Sequence, residues 1–259
     1  MVQIRECEGR QEEEFFWEQL QVYFERDMFP DPEDEDRAYF LGSDYRSTAA
    51  DMHAREKDRL RYLLFEKDGG KIGFVMAMIY DSEDARCFLM EFCVFPQYRG
   101  GGTGRACAKA FEAWALEQGA AYIELNAHTE QRQRFWHSVG YVDNGRDDWG
   151  DPSLMLPPIK KVGLSARALR RYDDWQLTKL VNGMRCEAGE EALSDEARDE
   201  LVRRLTGRQI SACVLRRGWR WVGICFVRNG GEIEEMYVEP VFRTEAAEDM
   251  LRRAARQMG

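Results

Sequence analysis

One stretch of the sequence decides the interpretation of the fold: Gln97–Ala106, which reads QYRGGGTGRA. Four of five successive positions in it are glycine, namely Gly100, Gly101, Gly102 and Gly104. A glycine costs about 1 kcal/mol relative to alanine inside a helix, so helix formation does not explain this composition. Glycine instead permits positive φ angles and lets a ligand approach the backbone closely. With Arg99 and Arg105 beside the start of the following helix, the stretch predicts a cradle for a diphosphate.

Two common phosphate-binding motifs do not fit these glycines. A P-loop requires Lys-Ser or Lys-Thr directly after its last glycine, and no such pair follows Gly104. A dinucleotide fingerprint requires G-x-G-x-x-G, but Arg105 or Cys107 occupies the third glycine position in the two available frames. The remaining pattern, Arg-x-x-Gly-x-Gly at Arg99, Gly102 and Gly104, resembles the coenzyme A pyrophosphate loop of the GNAT N-acetyltransferase family.

A second motif lies at the expected separation from the first. The segment Phe135–Tyr141, FWHSVGY, is similar to the Phe-Tyr-x-x-x-Gly-Phe motif that ends the next helix in that family. A Val-x-Pro-x-Tyr-Arg strand exit, Val94–Arg99, also precedes the glycines as it does there. The resemblance covers roughly residues 69–141. The alternative is a glycine-rich turn with a purely structural role.

Hydrophobic periodicity outlines the elements of the N-terminal part. It predicts helices at residues 12–26, 36–59 with a break near Gly42, 102–118 and 130–138. It predicts strands at residues 61–66, 71–80, 87–95, 122–126, 141–142 and 154–156. Asp68-Gly69-Gly70 predicts the hairpin between the first two strands. This order indicates an α/β (α+β) fold with a GNAT-like mixed central sheet flanked by helices.

The C-terminal part repeats this order in shorter form. Patterns predict helices at residues 175–184, 195–205 and 243–257, and strands at 210–216, 219–227 and 232–238. The segments Glu91–Arg99 and Glu235–Arg243 share Glu, Val, Pro and Arg at an offset of 144 residues. We therefore expect a catalytic domain at residues 1–160 and a degenerate copy at 164–259. Since Ala246 and Glu248 replace the loop glycines, we expect no cofactor in the copy.

The family resemblance implies where the cofactor, acetyl-CoA, would lie. Its pantetheine arm would enter between strands 87–95 and 122–126 and pair with the backbone of Phe92, Cys93 and Val94. The diphosphate would lie on the loop, whose matching residues are Arg99, Gly100, Gly101, Gly102, Thr103, Gly104 and Arg105. The family transfers the acetyl group directly, so we interpret Cys93 as a buried strand thiol rather than a nucleophile.

Direct transfer to an amine requires a base, because an amine with a pKa near 10 is mostly protonated at neutral pH. Glu91 and Glu124, one on each of the two strands, are the candidate catalytic carboxylates, with a slight preference for Glu91. The usual family acid is a Tyr, but Trp136 stands at that position and an indole N–H only donates. Thr129 likewise replaces a common Asn. His128 or another Tyr remains open as the acid.

The net charge of −10 argues against a general nucleic-acid binder. Residues 1–160 carry a balance of −12 and the remainder +2, which indicates either solubility or attraction of a cationic substrate. Seven cysteines without a CxxC pair indicate a reduced, cytoplasmic protein with no metal site.

We therefore expect an acetyl-CoA-dependent N-acetyltransferase acting on a primary amine of a cationic small molecule. It would use neither nucleic acid nor membrane as a partner, and a homodimer stays open. The alternative is a catalytically inactive acyl-CoA-binding regulatory or interaction module.

Overall fold

A computed structural model gives the fold and describes residues 1–157, 163–171, 173–228 and 231–258. The chain divides into two compact units, an N-terminal unit of residues 1–123 and a C-terminal unit of residues 124–259. The predicted domain boundary between residues 160 and 164 lies partly outside the described residues and stays a prediction. No helix in the described part is long and apolar enough to cross a membrane.

The N-terminal unit contains four helices and an antiparallel meander. Its helices are α1 (Gly9–Tyr23), continued by a π-helical segment (Phe24–Met28), α2 (Arg37–Phe40), α3 (Ser43–His53) and α4 (Thr103–Glu117). Its strands are β1 (Gln3–Glu6), β2 (Leu60–Lys67), β3 (Gly70–Tyr80), β4 (Arg86–Val94) and the start of β5 (Tyr122–Asn126). Their order in the sheet is β1-β2-β3-β4-β5.

Local sequence explains the centre of this sheet. Asp68 and Gly69 both take positive φ, +52° and +78°, which closes the predicted hairpin between β2 and β3. Every residue from Ile72 to Ile79 of β3 is buried, so apolar side chains fill both faces of this strand.

The pairing of β3 with β4 has two special features: a bulge in β4 and a close backbone approach near the end of β4. Met76 pairs with Glu91 and Ala77 with Leu89, so Met90 is an extra, bulged residue in β4. Gly73 lies opposite Val94, and a Cβ at Gly73 would collide with the carbonyl oxygen of Cys93. A glycine is therefore required for β3 and β4 to approach each other at the end of the strand.

The described residues of the C-terminal unit form two groups of strands. The first has the order β5-β7-β6 and contains β6 (Val142–Arg146) and β7 (Pro152–Leu156); α5 (Glu130–Val139) lies between β5 and β6 along the chain. The second has the order β11-β10-β9-β8, and its strands are β8 (Leu164–Ala168), β9 (Ile210–Arg217), β10 (Arg220–Arg228) and β11 (Ile233–Val238). Its helices are α6 (Asp174–Glu187), α7 (Asp195–Thr206) and α8 (Glu245–Arg256).

The predicted fold class, a mixed sheet flanked by helices with a smaller partial repeat, is confirmed. The succession β8, α6, α7, β9, β10, β11 and α8 repeats the order of β1 to α4 in shorter form, with two helices after the first strand where the N-terminal unit has three and a π-helical segment. The sequence patterns missed β1 and β8, because these short edge strands read QIRE and LSARA and contain too few apolar residues to show an alternation.

Candidate active site

The glycine loop, residues 99–105, has the bare backbone that its composition predicts. Gly100, Gly101 and Gly102 are exposed and have φ angles of +89°, +55° and +83°. A Cβ on any of the three would meet no atom within 4 Å, so the space above the loop is open. Side-chained residues rarely adopt these φ angles, which explains why glycine occupies all three positions.

The loop leads directly into α4, a helix of 15 residues. Gly102 is the N-cap and supplies no side-chain hydrogen bond to the first turn. Among the described residues, no backbone hydrogen bond is donated by the N–H groups of Gly100, Gly101 or Gly102. These donors and the positive end of the helix dipole suit anionic oxygens. The loop therefore fits the diphosphate of coenzyme A.

Arg99, at the first position of the loop, turns back toward the protein. Its Nε donates to the carbonyl oxygen of Val94 at 2.8 Å, and its Nη2 lies 2.5 Å from a carboxylate oxygen of Asp27. Arg26 pairs with the same carboxylate at 2.6 Å. Burial raises the pKa of Asp27, but the hydrogen bonds from Arg26 and Arg99 outweigh it and lower the pKa to about 2. Arg105 lies exposed in the first turn of α4.

The three residues predicted to pair with pantetheine lie at the end of β4. Phe92 packs against Phe65, with ring centroids 5.4 Å apart, while Cys93 and Val94 are buried. Burial raises the pKa of the Cys93 thiol to about 11, so it is protonated at neutral pH. This agrees with its interpretation as a packing residue, since only the thiolate is an effective nucleophile.

Glu91 lies on the same face of β4 as Cys93, because the two residues pair with Met76 and Phe74 of the same β3 face. Its side chain is 8% exposed. Burial, and then the charge of Glu91, raise the pKa of the Tyr45 phenol, so α3 brings Tyr45 near this carboxylate. A buried carboxylate beside a bulge in the predicted cofactor strand is well placed to accept a proton.

Glu124 has a different environment. It is 1% exposed, and both carboxylate oxygens are taken by partners: Lys179 Nζ at 2.5 Å, the Arg220 guanidinium at 2.8 and 3.0 Å, and Ser153 Oγ at 3.0 Å. A carboxylate whose two oxygens already accept hydrogen bonds from two cations and a hydroxyl is poorly placed to accept a proton from an amine. This geometry disfavours Glu124 as the general base and leaves Glu91 as the better candidate.

The partners of Glu124 extend into a buried ion cluster within the C-terminal unit. Glu239 binds Arg220 at 2.9 and 3.0 Å and lies 3.5 Å from Lys179. Asn144 donates to Glu239 at 3.2 Å. The two carboxylates and two cations balance each other, as buried charges must. Lys179 and Arg220 lie 55 and 96 residues from Glu124 in sequence, so no local pattern could reveal this cluster.

The two residues that depart from the family pattern, Trp136 and Thr129, and the candidate acid His128 are each packed or paired in the structure. Trp136 is buried against Tyr141, with centroids 4.9 Å apart, and Thr129 is the N-cap of α5, accepting from Arg132 N. His128 Nδ1 lies 3.1 Å from Asp151. No cluster of His, Cys, Asp and Glu within the described ranges could hold a metal ion.

Several acetyltransferases are among the solved structures to which the chain is similar. PaiA N-acetyltransferase from Thermoplasma acidophilum, in complex with coenzyme A, is 15% identical over 60% of this chain and 98% of its own, with a TM-score of 0.46. Ard1 from Thermoplasma volcanium is 19% identical over 62% and 99%, with a TM-score of 0.42. A tandem GNAT protein from the clavulanic acid biosynthesis pathway is 13% identical over 100% and 85%, with a TM-score of 0.41.

No curated protein matches the chain. The family model of the acetyltransferase (GNAT) family matches residues 13–141, which include β4, the glycine loop and the FWHSVGY motif. This confirms the resemblance that the two motifs predicted. The chain therefore carries, at residues 13–141, a domain of the acetyltransferase (GNAT) family, a family of acyltransferases whose cofactor is acetyl-CoA.

Proposed function

We propose that this protein transfers an acetyl group from acetyl-CoA to the primary amine of a cationic small molecule. The observation that carries the proposal is the glycine loop: three exposed glycines with positive φ stand before an uncapped helix N-terminus. Their N–H groups bind the diphosphate, and the end of β4 offers its backbone to the pantetheine arm. When bound, the cofactor supplies the acetyl thioester.

Glu91 is the general base in this proposal. At neutral pH the amine is mostly an ammonium ion, which has no free electron pair, so it must lose a proton before its nitrogen can attack the thioester carbonyl carbon. Glu91 accepts that proton directly or through one water. Acetyl-CoA would supply the leaving group: as the nitrogen–carbon bond forms, the electron pair of the carbon–sulfur bond would leave with the sulfur, and the second nitrogen proton would pass to that thiolate or to water.

Aromatic and acidic residues of the N-terminal unit support a cationic acceptor. Tyr45 packs against Phe24, Phe40 and Tyr39 at centroid distances of 5.5, 4.9 and 5.8 Å, and Tyr39 is 47% exposed. This aromatic cluster extends from solvent toward Glu91, and aromatic faces attract ammonium groups. The preceding segment, residues 31–36, is fully exposed and contains five carboxylates, which raise the local concentration of cations.

The experiment that tests the proposal measures thiol release from acetyl-CoA over a panel of cationic, neutral and anionic amines. We expect turnover with cationic primary amines and none with anionic ones. Turnover restricted to neutral or anionic amines would contradict the acceptor class. The alternative, an inactive acyl-CoA-binding module, is favoured by Trp136 at the position of the family acid. Calorimetric binding of coenzyme A without turnover on any amine would establish it.

A further inference from the structure

We infer that Asp27 is a positioning residue for the glycine loop: it holds the Arg99 guanidinium against the Val94 carbonyl and so anchors the start of the loop. This inference rests on the proposed function, because it concerns the affinity of the loop for coenzyme A. Asp27 lies in the π-helical segment after α1, 72 residues before Arg99. No sequence motif connects the two residues.

The contacts of Arg99 leave its guanidinium little freedom. Nε binds Val94 O at 2.8 Å, and Nη2 binds Asp27 at 2.5 Å. Arg26 binds both carboxylate oxygens of Asp27, at 2.9 and 2.6 Å, which fixes the orientation of the acceptor. Val94 is the last residue of β4. The pair therefore ties the point where the loop begins to the end of the strand and to the π-helical segment.

The C-terminal unit contains the same arrangement without a glycine loop. Arg243, which follows β11 as Arg99 follows β4, donates to the carbonyl oxygen of Val238 at 3.1 and 2.7 Å and pairs with Glu187. Because the loop after Arg243 contains no glycine, the contacts of this arginine stabilise the backbone at the end of β11 and have no role in binding a diphosphate. By the same geometry, the guanidinium of Arg99 is engaged with the protein and acts on the cofactor through the backbone that it anchors.

Anchoring matters more in the N-terminal unit because three glycines come directly after the anchored arginine. Gly100, Gly101 and Gly102 have the largest conformational freedom of any residues, and ordering them opposes binding. Helix α4 fixes the far end of the loop and the Asp27–Arg99 pair fixes the near end. A loop held at both ends presents its N–H groups in a constant arrangement, which reduces the entropy lost on binding.

Calorimetry with coenzyme A on the full chain tests the inference. Loss of one charge-assisted anchor in Asp27→Ala corresponds to about a tenfold weaker Kd. Steady-state assays with acetyl-CoA should show the same rise in its KM, with kcat and the acceptor KM nearly unchanged. Arg99→Ala and the double variant should match Asp27→Ala, because the two residues act as one unit.

Glu187→Ala is the matched control, since it breaks the corresponding pair beside a loop without glycine. It is expected to leave the affinity for coenzyme A unchanged, with a similar loss of melting temperature. Equal weakening by both variants would mean a general structural effect and overturn the inference. Unchanged or tighter binding by Asp27→Ala would also overturn it, the latter because released Arg99 would then be binding phosphate. No heat with the unmodified chain would instead reject the proposed function, and the inference with it.

Discussion

In both units the chain has the same structure at the end of the last meander strand, β4 or β11, but the loop that follows differs between them. Gly73 lies opposite Val94 in one, and Gly223 lies opposite Val238 in the other. A short 3-10 turn, Pro96–Tyr98 or Pro240–Phe242, then precedes the arginine that binds the last strand carbonyl. These shared features belong to the fold.

The two loops differ in glycine content, in the capping of the following helix and in the charge of its first turn, and all three affect anion binding. The N-terminal loop presents three positive-φ glycines before an N-cap without a side-chain bond. In the C-terminal unit, Thr244 caps α8 by accepting from Ala247 N at 3.1 Å, and Glu245 and Glu248 stand in the first turn. A helix end already capped and acidic repels phosphate oxygens. Both units therefore share the turn and the arginine that follow the last strand of the meander, but only the N-terminal unit has the glycine loop suited to bind a diphosphate.

The strongest way to break this comparison is to give the N-terminal loop the charge of its counterpart. Gly102→Glu places a carboxylate in the open space above the loop and strains a residue at φ +83°. We expect coenzyme A binding to fall below detection by calorimetry, because bulk and charge both oppose the diphosphate. Ala246→Glu, at an exposed position of the C-terminal unit, is the control and should bind normally. If Gly102→Glu binds coenzyme A with normal affinity, the loop is not part of the cofactor site.

A second difference lies at the residue after each strand. Phe95 packs against aromatic rings, whereas Glu239 belongs to the buried ion cluster. Removing one charge of this cluster in Lys179→Met leaves Glu124 and Glu239 with one cation fewer. We expect the free energy of unfolding to fall by about 3–5 kcal/mol in denaturant titrations. Stability equal to that of the unmodified chain would mean that the cluster opens to water.

A third difference concerns Glu91, the proposed base, and its counterpart Glu235, which are buried and exposed respectively. Glu91→Gln keeps the size of the side chain and removes the carboxylate that the proposal assigns as the base. We expect kcat to fall by about 100-fold or more at neutral pH, with the affinity for coenzyme A little changed. The deficit should shrink as pH rises toward the amine pKa, because more acceptor is then already deprotonated.

Glu235→Gln is the control for Glu91→Gln and is expected to retain full activity. Full activity in Glu91→Gln itself would require a different base. Glu124→Gln discriminates further: a loss of stability larger than its loss of turnover agrees with the ion cluster, and the reverse result would return Glu124 to the reaction.

The sequence predicted those features that depend on residues close together along the chain. Glycine spacing located the loop, Asp68 and Gly69 located the hairpin, and four identities within a nine-residue segment located the repeat. Contacts between distant residues escaped prediction, since the Asp27–Arg99 pair spans 72 residues and the Glu124–Arg220 pair 96. The two candidate bases, Glu91 and Glu124, could not be told apart from the sequence because only contacts with residues distant in the chain distinguish them.

The smallest expected effect is a dependence of stability on pH. Burial raises the pKa of Asp27, but Arg26 and Arg99 outweigh it, so the folded-state pKa is about 2, below the ordinary value of 3.8. A depressed pKa stabilises the fold above about pH 4, and the contribution is lost as pH falls toward 2. Asp27→Asn should therefore lower the melting temperature at pH 6 and have almost no effect at pH 2. Because the pair is partly exposed and screened, we expect less than about 1 kcal/mol. An equal difference at both pH values would mean that the carboxylate charge does not hold Arg99, and the anchor would then depend on hydrogen-bond geometry alone.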